Sequence, residues 1–133
     1  MSTNKIISYG KAVIETEIFG AKKLYKTINS DFAKVIDKLS KIKGKVIITG
    51  VGKSGHIASK ISSTMSSTGT LSQYCSPTDM SHGDLGIITK NDAIIIISNS
   101  GKSEEIRALL DFAKKNKIFV RGITSNTKST LYK

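Results

Sequence analysis

The sequence predicts an α/β fold, a doubly wound parallel sheet preceded by an N-terminal helical arm. Two unbroken apolar runs, Val46-Ile47-Ile48 and Ala93-Ile94-Ile95-Ile96-Ile97, have the pattern of strands covered on both faces. Helix-period segments alternate with such runs from residue 45 to residue 123. Both runs end in turns rich in glycine or serine, where a parallel strand would hand over to a crossover helix.

In chain order, Ile7, Ile14, Ile18, Ala21, Tyr25 and Ile28 recur at helical spacing. Asn29-Ser30-Asp31 supplies a cap for a second helix, whose stripe is Phe32, Val35, Ile36 and Leu39. Residues 1–44 are thus expected to form the arm, closing on a basic linker at 41–45. Residues 45–133 are expected to form the α/β domain, incomplete at its C-terminus. There Val46-Ile47-Ile48 is the first strand, and Ile57, Ile61 and Met65 mark one face of the next helix. Residues 71–75 read as a weaker strand and 76–86 as an irregular stretch holding the only proline. The strand at Ala93 to Ile97 leads to a helix with Ile106, Leu109, Leu110 and Ala113 inward. Lys114, Lys115 and Lys117 near its C-terminus suit the helix dipole. Residues 118–123 give a fourth strand. A sheet ending there keeps an open apolar edge unless another chain or segment covers it.

Composition narrows the function classes. Of 133 residues, 38% are hydrophobic and 23% charged, enough apolar content for a packed core. No apolar run approaches the ~20 residues that cross a bilayer, and the N-terminus lacks a signal peptide's apolar block. The single cysteine, Cys75, cannot form an internal disulfide or a cysteine-based zinc cluster, and reads as a small buried residue in a cytoplasmic protein. The net charge of +11 is spread evenly, without a dense basic tract or interleaved aromatics, which points away from nucleic acid.

Two turns carry candidate chemistry. Gly50-Val51-Gly52-Lys53-Ser54-Gly55 fits G-x-G-x-x-G, in which glycines let backbone N–H groups approach a phosphate at a helix start. A dinucleotide site wants an acid about 20 residues further on, yet residues 56–78 contain no Asp or Glu. A Walker A loop wants glycine where Ile47 stands. The second turn, Ser98-Asn99-Ser100-Gly101-Lys102-Ser103, sets three hydroxyls before a helix, more than capping alone requires. Both turns follow the carboxyl ends of strands, where ligands bind in open α/β sheets. Lys53 faces an unfavourable helix dipole unless an anion is nearby. Glu104 and Glu105 stand in a helix's first turn, and His82 in Ser81-His82-Gly83-Asp84.

These segments, with Gly52-Lys53-Ser54-Gly55-His56-Ile57, Ser67-Thr68-Gly69-Thr70, Ser81-His82-Gly83-Asp84-Leu85-Gly86 and Ile97-Ser98-Asn99-Ser100-Gly101, resemble a Rossmann-like sugar isomerase (SIS) domain. The match is to the KpsF/GutQ type, the arabinose 5-phosphate isomerases. The resemblance implies aldose–ketose isomerisation between arabinose 5-phosphate and ribulose 5-phosphate, feeding synthesis of the Kdo sugar of lipopolysaccharide. It implies Lys53 and Glu105 as catalytic residues. It implies substrate contacts at Ser54, Gly69, Thr70, His82, Ser98, Ser100 and Ser103. It also implies a homo-oligomer that uses no cofactor. A further family glutamate and histidine fall beyond residue 133, as do the fifth strand and the paired CBS domains of longer relatives. Where some members carry a proposed metal-binding histidine this chain has Ser76, so no zinc site is expected; Lys102 replaces a residue that is often acidic. A sugar-phosphate-binding module without turnover is the alternative expectation.

Overall fold

The computed structural model describes residues 1–132 and divides into two compact units, Met1–Asp37 and the chain from Lys38 onward. The first unit is dominated by α1 (Thr3–Tyr25), in which no residue is buried; Ile7, Ile14 and Ile18 are all solvent-exposed. After a short turn, Asn29 Oδ1 accepts the N–H groups of Asp31 and Phe32 at 3.0 and 3.3 Å, capping α2 (Ser30–Ser40) as its side-chain chemistry predicts.

In the second unit the chain alternates β1 (Val46–Thr49), α3 (Lys53–Ser67), β2 (Ser72–Tyr74), α4 (Pro77–Ser81), β3 (Ala93–Ile97), α5 (Glu104–Lys115) and β4 (Phe119–Ile123). A 3-10 turn at Asp84–Ile87 bridges α4 and β3. All strand pairs are parallel, in the order β2-β1-β3-β4. The doubly wound sheet expected from the sequence is therefore present. The stretch expected to be irregular is instead partly helical: Ser76 at the N-cap and Pro77 at the first turn nucleate the short α4, and the 3-10 turn follows it.

The two central strands divide their side chains between two cores. Ile47, Ile94 and Ile96 pack with Met80, Ile106, Leu109 and Ala113 beneath α4 and α5. Val46 and Ile48 pack with Ala58, and Ile61, Met65, Ile95 and Ile97 complete that cluster against α3. Cys75 lies in the first core, where burial pushes its thiol pKa up and disfavours the reactive thiolate. β4 is an edge strand, and Ile123 is 56% exposed.

After β4 the chain folds back, and Leu131 is buried in the first core, over Gly101 and Gly122. Leu131→Ala is expected to cost about 2 kcal/mol, the lower end for a buried leucine, since the site lies at a margin of the core. A lower urea midpoint with an unchanged slope would register it.

Candidate functional site

β1 leads into α3 on one face of the sheet, and β3 into α5 on the other, so the crossovers diverge between these neighbouring strands. Such a point of divergence at the carboxyl rim is where open α/β sheets bind their ligands. Thr49, the last residue of β1, stands opposite Ile96, so the two strands end within one residue of each other. A β-carbon on Gly50 would lie 2.8 Å from the Ile97 carbonyl oxygen; the two turns touch, and only glycine fits between them.

The two helices that follow the central strands, α3 and α5, both start without a side-chain cap. α3 begins after Gly52, whose φ of 58° and ψ of −125° suit glycine alone, and open space lies where a β-carbon would be. α5 begins after Ser103, whose side chain makes no capping bond. The Ser103 Oγ is buried and has no hydrogen-bond partner among the described residues. The opening N–H groups of a helix have no intrahelical acceptor and carry the positive end of its dipole. Two such starts converge here, with exposed Lys53 and Lys102 adding charge. The arrangement suits an anion with several oxygens, such as a phosphate dianion.

The remaining sequence-nominated residues fall into place unequally. Ser54 is half-buried in the first turn of α3, and Ser100 is exposed on the second turn. Ser98 is buried and its Oγ accepts the Gly101 N–H at 3.0 Å, so this serine shapes the turn while its own O–H remains able to donate. Glu105 is half-buried in the first turn of α5, and Glu104 is exposed. His82 is the exposed C-cap of α4, the helix that follows the carboxyl end of β2. Ser76 caps α4 by accepting the Asp79 N–H at 3.4 Å.

Gly69 and Thr70 lie apart from this group within the chain. They lie between α3 and β2, at the opposite edge of the sheet, where the Leu71 carbonyl accepts the N–H of Val46, the first residue of β1. The 15 residues of α3 carry the chain there, about 22 Å from the rim. With Leu39, Ile42, Val46 and Leu71 they line a shallow groove.

One set of residues escapes the sequence reading. Segment 124–130 bonds side chain to main chain along the serine turn, from Thr124, Ser125, Asn126 and Thr130. Such contacts leave no periodic trace. The local signal is a polar cluster, Thr124-Ser125-Asn126-Thr127, directly after a strand.

A parallel sheet with paired turns at one rim defines a class, and comparison with known proteins agrees: a SIS domain profile matches residues 38–133, and the chain belongs to that family. Within it, the chain is 44% identical over 124 residues to the arabinose 5-phosphate isomerase KdsD of Yersinia pestis, covering 93% of this chain and 38% of that one. Against KdsD of Francisella tularensis identity is 48% over 118 residues, 86% of this chain and 36% of that one. The chain thus spans less than two fifths of these relatives' length. Among solved structures, that of Escherichia coli CFT073 c3406 in complex with arabinose 5-phosphate superposes with a TM-score of 0.92 at 38% identity. That match covers 99% of this chain and 70% of the other. No helix among the described residues is long and apolar enough to cross a membrane.

Proposed function

We propose that this chain is the SIS domain of a sugar-phosphate aldose–ketose isomerase of the arabinose 5-phosphate/ribulose 5-phosphate type. The observation that carries the reading is the pair of uncapped helix starts meeting at one rim, with the unpartnered Ser103 hydroxyl at the second of them. The phosphate end of the sugar would take the α3 and α5 N–H groups and the hydroxyls of Ser54, Ser100 and Ser103. Ser98 would hold the turn and donate its O–H.

Isomerisation moves a proton between adjacent carbons through an enediol. Glu105 would take the proton from C2 of the open-chain aldose and return it to C1. Lys53 would stabilise the negative charge that develops on the oxygen. His82 would assist ring opening or bind a hydroxyl. The product would feed Kdo synthesis for lipopolysaccharide, in the cytoplasm. Self-association is part of the same reading, supported by the exposed apolar residues of α1 and the open edge at β4. Gly69 and Thr70 would reach substrate only in such an assembly.

Calorimetric titration with arabinose 5-phosphate, alongside a coupled assay for ribulose 5-phosphate, tests the reading. Binding of the ester, and none of unphosphorylated arabinose, is expected. Lys53→Ala should weaken ester binding about tenfold or more, the worth of a charge-assisted hydrogen bond. Equal affinity for arabinose and its phosphate would overturn the assignment, and binding without turnover would leave a binding module only.

A further inference from the structure

The serine turn is held from behind, carbonyl by carbonyl, by the segment that follows β4. Thr124 Oγ1 donates to the Asn99 carbonyl at 3.2 Å. Ser125 Oγ lies 3.1 Å from the same carbonyl and 2.6 Å from Asn99 Oδ1. Asn126 Nδ2 donates to the Ser100 carbonyl at 3.1 Å, and Thr130 Oγ1 to the Gly101 carbonyl at 3.1 Å. The orientation of the Asn126 amide is itself fixed, because its Oδ1 accepts the Lys128 N–H at 3.0 Å. Leu131 anchors the far end of the segment in the core.

In a trans peptide the carbonyl and the N–H of the next residue point to opposite sides of the chain. Tying the Asn99 carbonyl backward therefore turns the Ser100 N–H outward, and tying the Gly101 carbonyl does the same for Lys102. Between them, the Ser100 carbonyl is tied by Asn126, and the Gly101 N–H is taken by Ser98 Oγ. The Ser100 and Lys102 N–H groups, like those of Asn99 and Ser103 at the ends of the turn, have no partner among the described residues. Three carbonyls occupied behind and two amides free in front make an anion-binding concavity of main-chain groups.

We propose that Ser125 and Thr130 are positioning residues for the phosphate grip: they never touch the ester, and they aim the Ser100 and Lys102 amides at it, while Asn126 holds the peptide between them. The proposal rests on the phosphosugar reading above and names what pre-organises that site. A turn of Asn, Ser and Gly in solution samples many shapes, so fixing one in advance spares the ligand that ordering cost.

The test uses the ¹⁵N-labelled 133-residue chain titrated with inorganic phosphate, following each amide by NMR. In the unmodified chain the Ser100 and Lys102 amides are expected to shift together with those of Lys53 and Ser54. Ser125→Ala should raise the phosphate Kd about fivefold to tenfold, the net worth of one to two hydrogen bonds. It should also reduce the Ser100 shift at saturation, while the Lys53 and Ser54 shifts keep their full amplitude. Ser125→Thr, which retains the hydroxyl, should return the Kd to within about twofold. Melting temperatures should agree within a few degrees, since Ser125 is exposed. A Ser125→Ala Kd within about twofold of the unmodified chain would overturn the positioning role and leave the phosphosugar reading standing. Absence of any phosphate-dependent shift at either turn in the unmodified chain would overturn both.

Discussion

Replacing Glu105 by glutamine is expected to lower aldose–ketose turnover by about a thousandfold and leave arabinose 5-phosphate affinity within about threefold. The two side chains are nearly the same size and can occupy the same half-buried place in the first turn of α5. An amide cannot accept the C2 proton at neutral pH, so the loss falls on the chemical step. In the proposed mode other groups hold the phosphate end, so binding should persist. Glu104→Gln, one residue away and exposed, should change turnover by less than about threefold. Initial rates of ribulose 5-phosphate formation beside calorimetric Kd values make the comparison. If Glu104→Gln carried the large loss instead, the assignment of the base would move to it.

The second large effect lies at the other end of the sheet, where Asp92 joins the starts of the two central strands. Its carboxylate accepts the Lys45 N–H at 2.8 Å, the Thr89 N–H at 2.7 Å and the Lys45 ammonium at 3.1 Å. Lys45 Nζ also donates to the Ile87 carbonyl at 2.8 Å. Asp92 is 3% exposed. Burial alone would raise its pKa, but the bonds from Thr89 and Lys45 outweigh it and hold the carboxyl below the ordinary 3.8. Asp92→Ala strands two backbone N–H groups and a partly buried ammonium, and should cost about 3 kcal/mol. Because the folded-state pKa is depressed, this stabilisation is present above the unfolded value and is lost as pH falls through the folded one. Urea midpoints of the unmodified chain should therefore drop below about pH 4 more steeply than those of Asp92→Ala. Parallel pH profiles would contradict the clamp.

What can be read from the sequence follows from how each feature is encoded. β1 and β3 are buried on both faces, so their unbroken isoleucine runs announce them; β2, with Gln73 exposed and only three residues long, is fainter. The two turns stand out because glycine and serine cluster there for backbone reasons. Gly52 adopts a conformation other residues avoid, and Gly50 abuts the neighbouring turn. Motif alone groups Gly69 and Thr70 with them, although a full-length helix separates these two from the rim. A string of letters shows adjacency along the chain, not the end of the sheet a loop occupies. The Asp92 clamp and the 124–130 ties are silent for a different reason. Each is a side chain meeting a distant main-chain atom, and no spacing rule marks such a meeting.

A grip made of amide hydrogens and hydroxyls is blind to whatever the ester oxygen is attached to. On the proposed reading, small doubly charged oxyanions compete for the same groups, so phosphate- or sulfate-based buffers should weaken every apparent sugar affinity measured in them. Telling one pentose ester from another must then be done by groups that meet the carbon skeleton, away from the two helix starts.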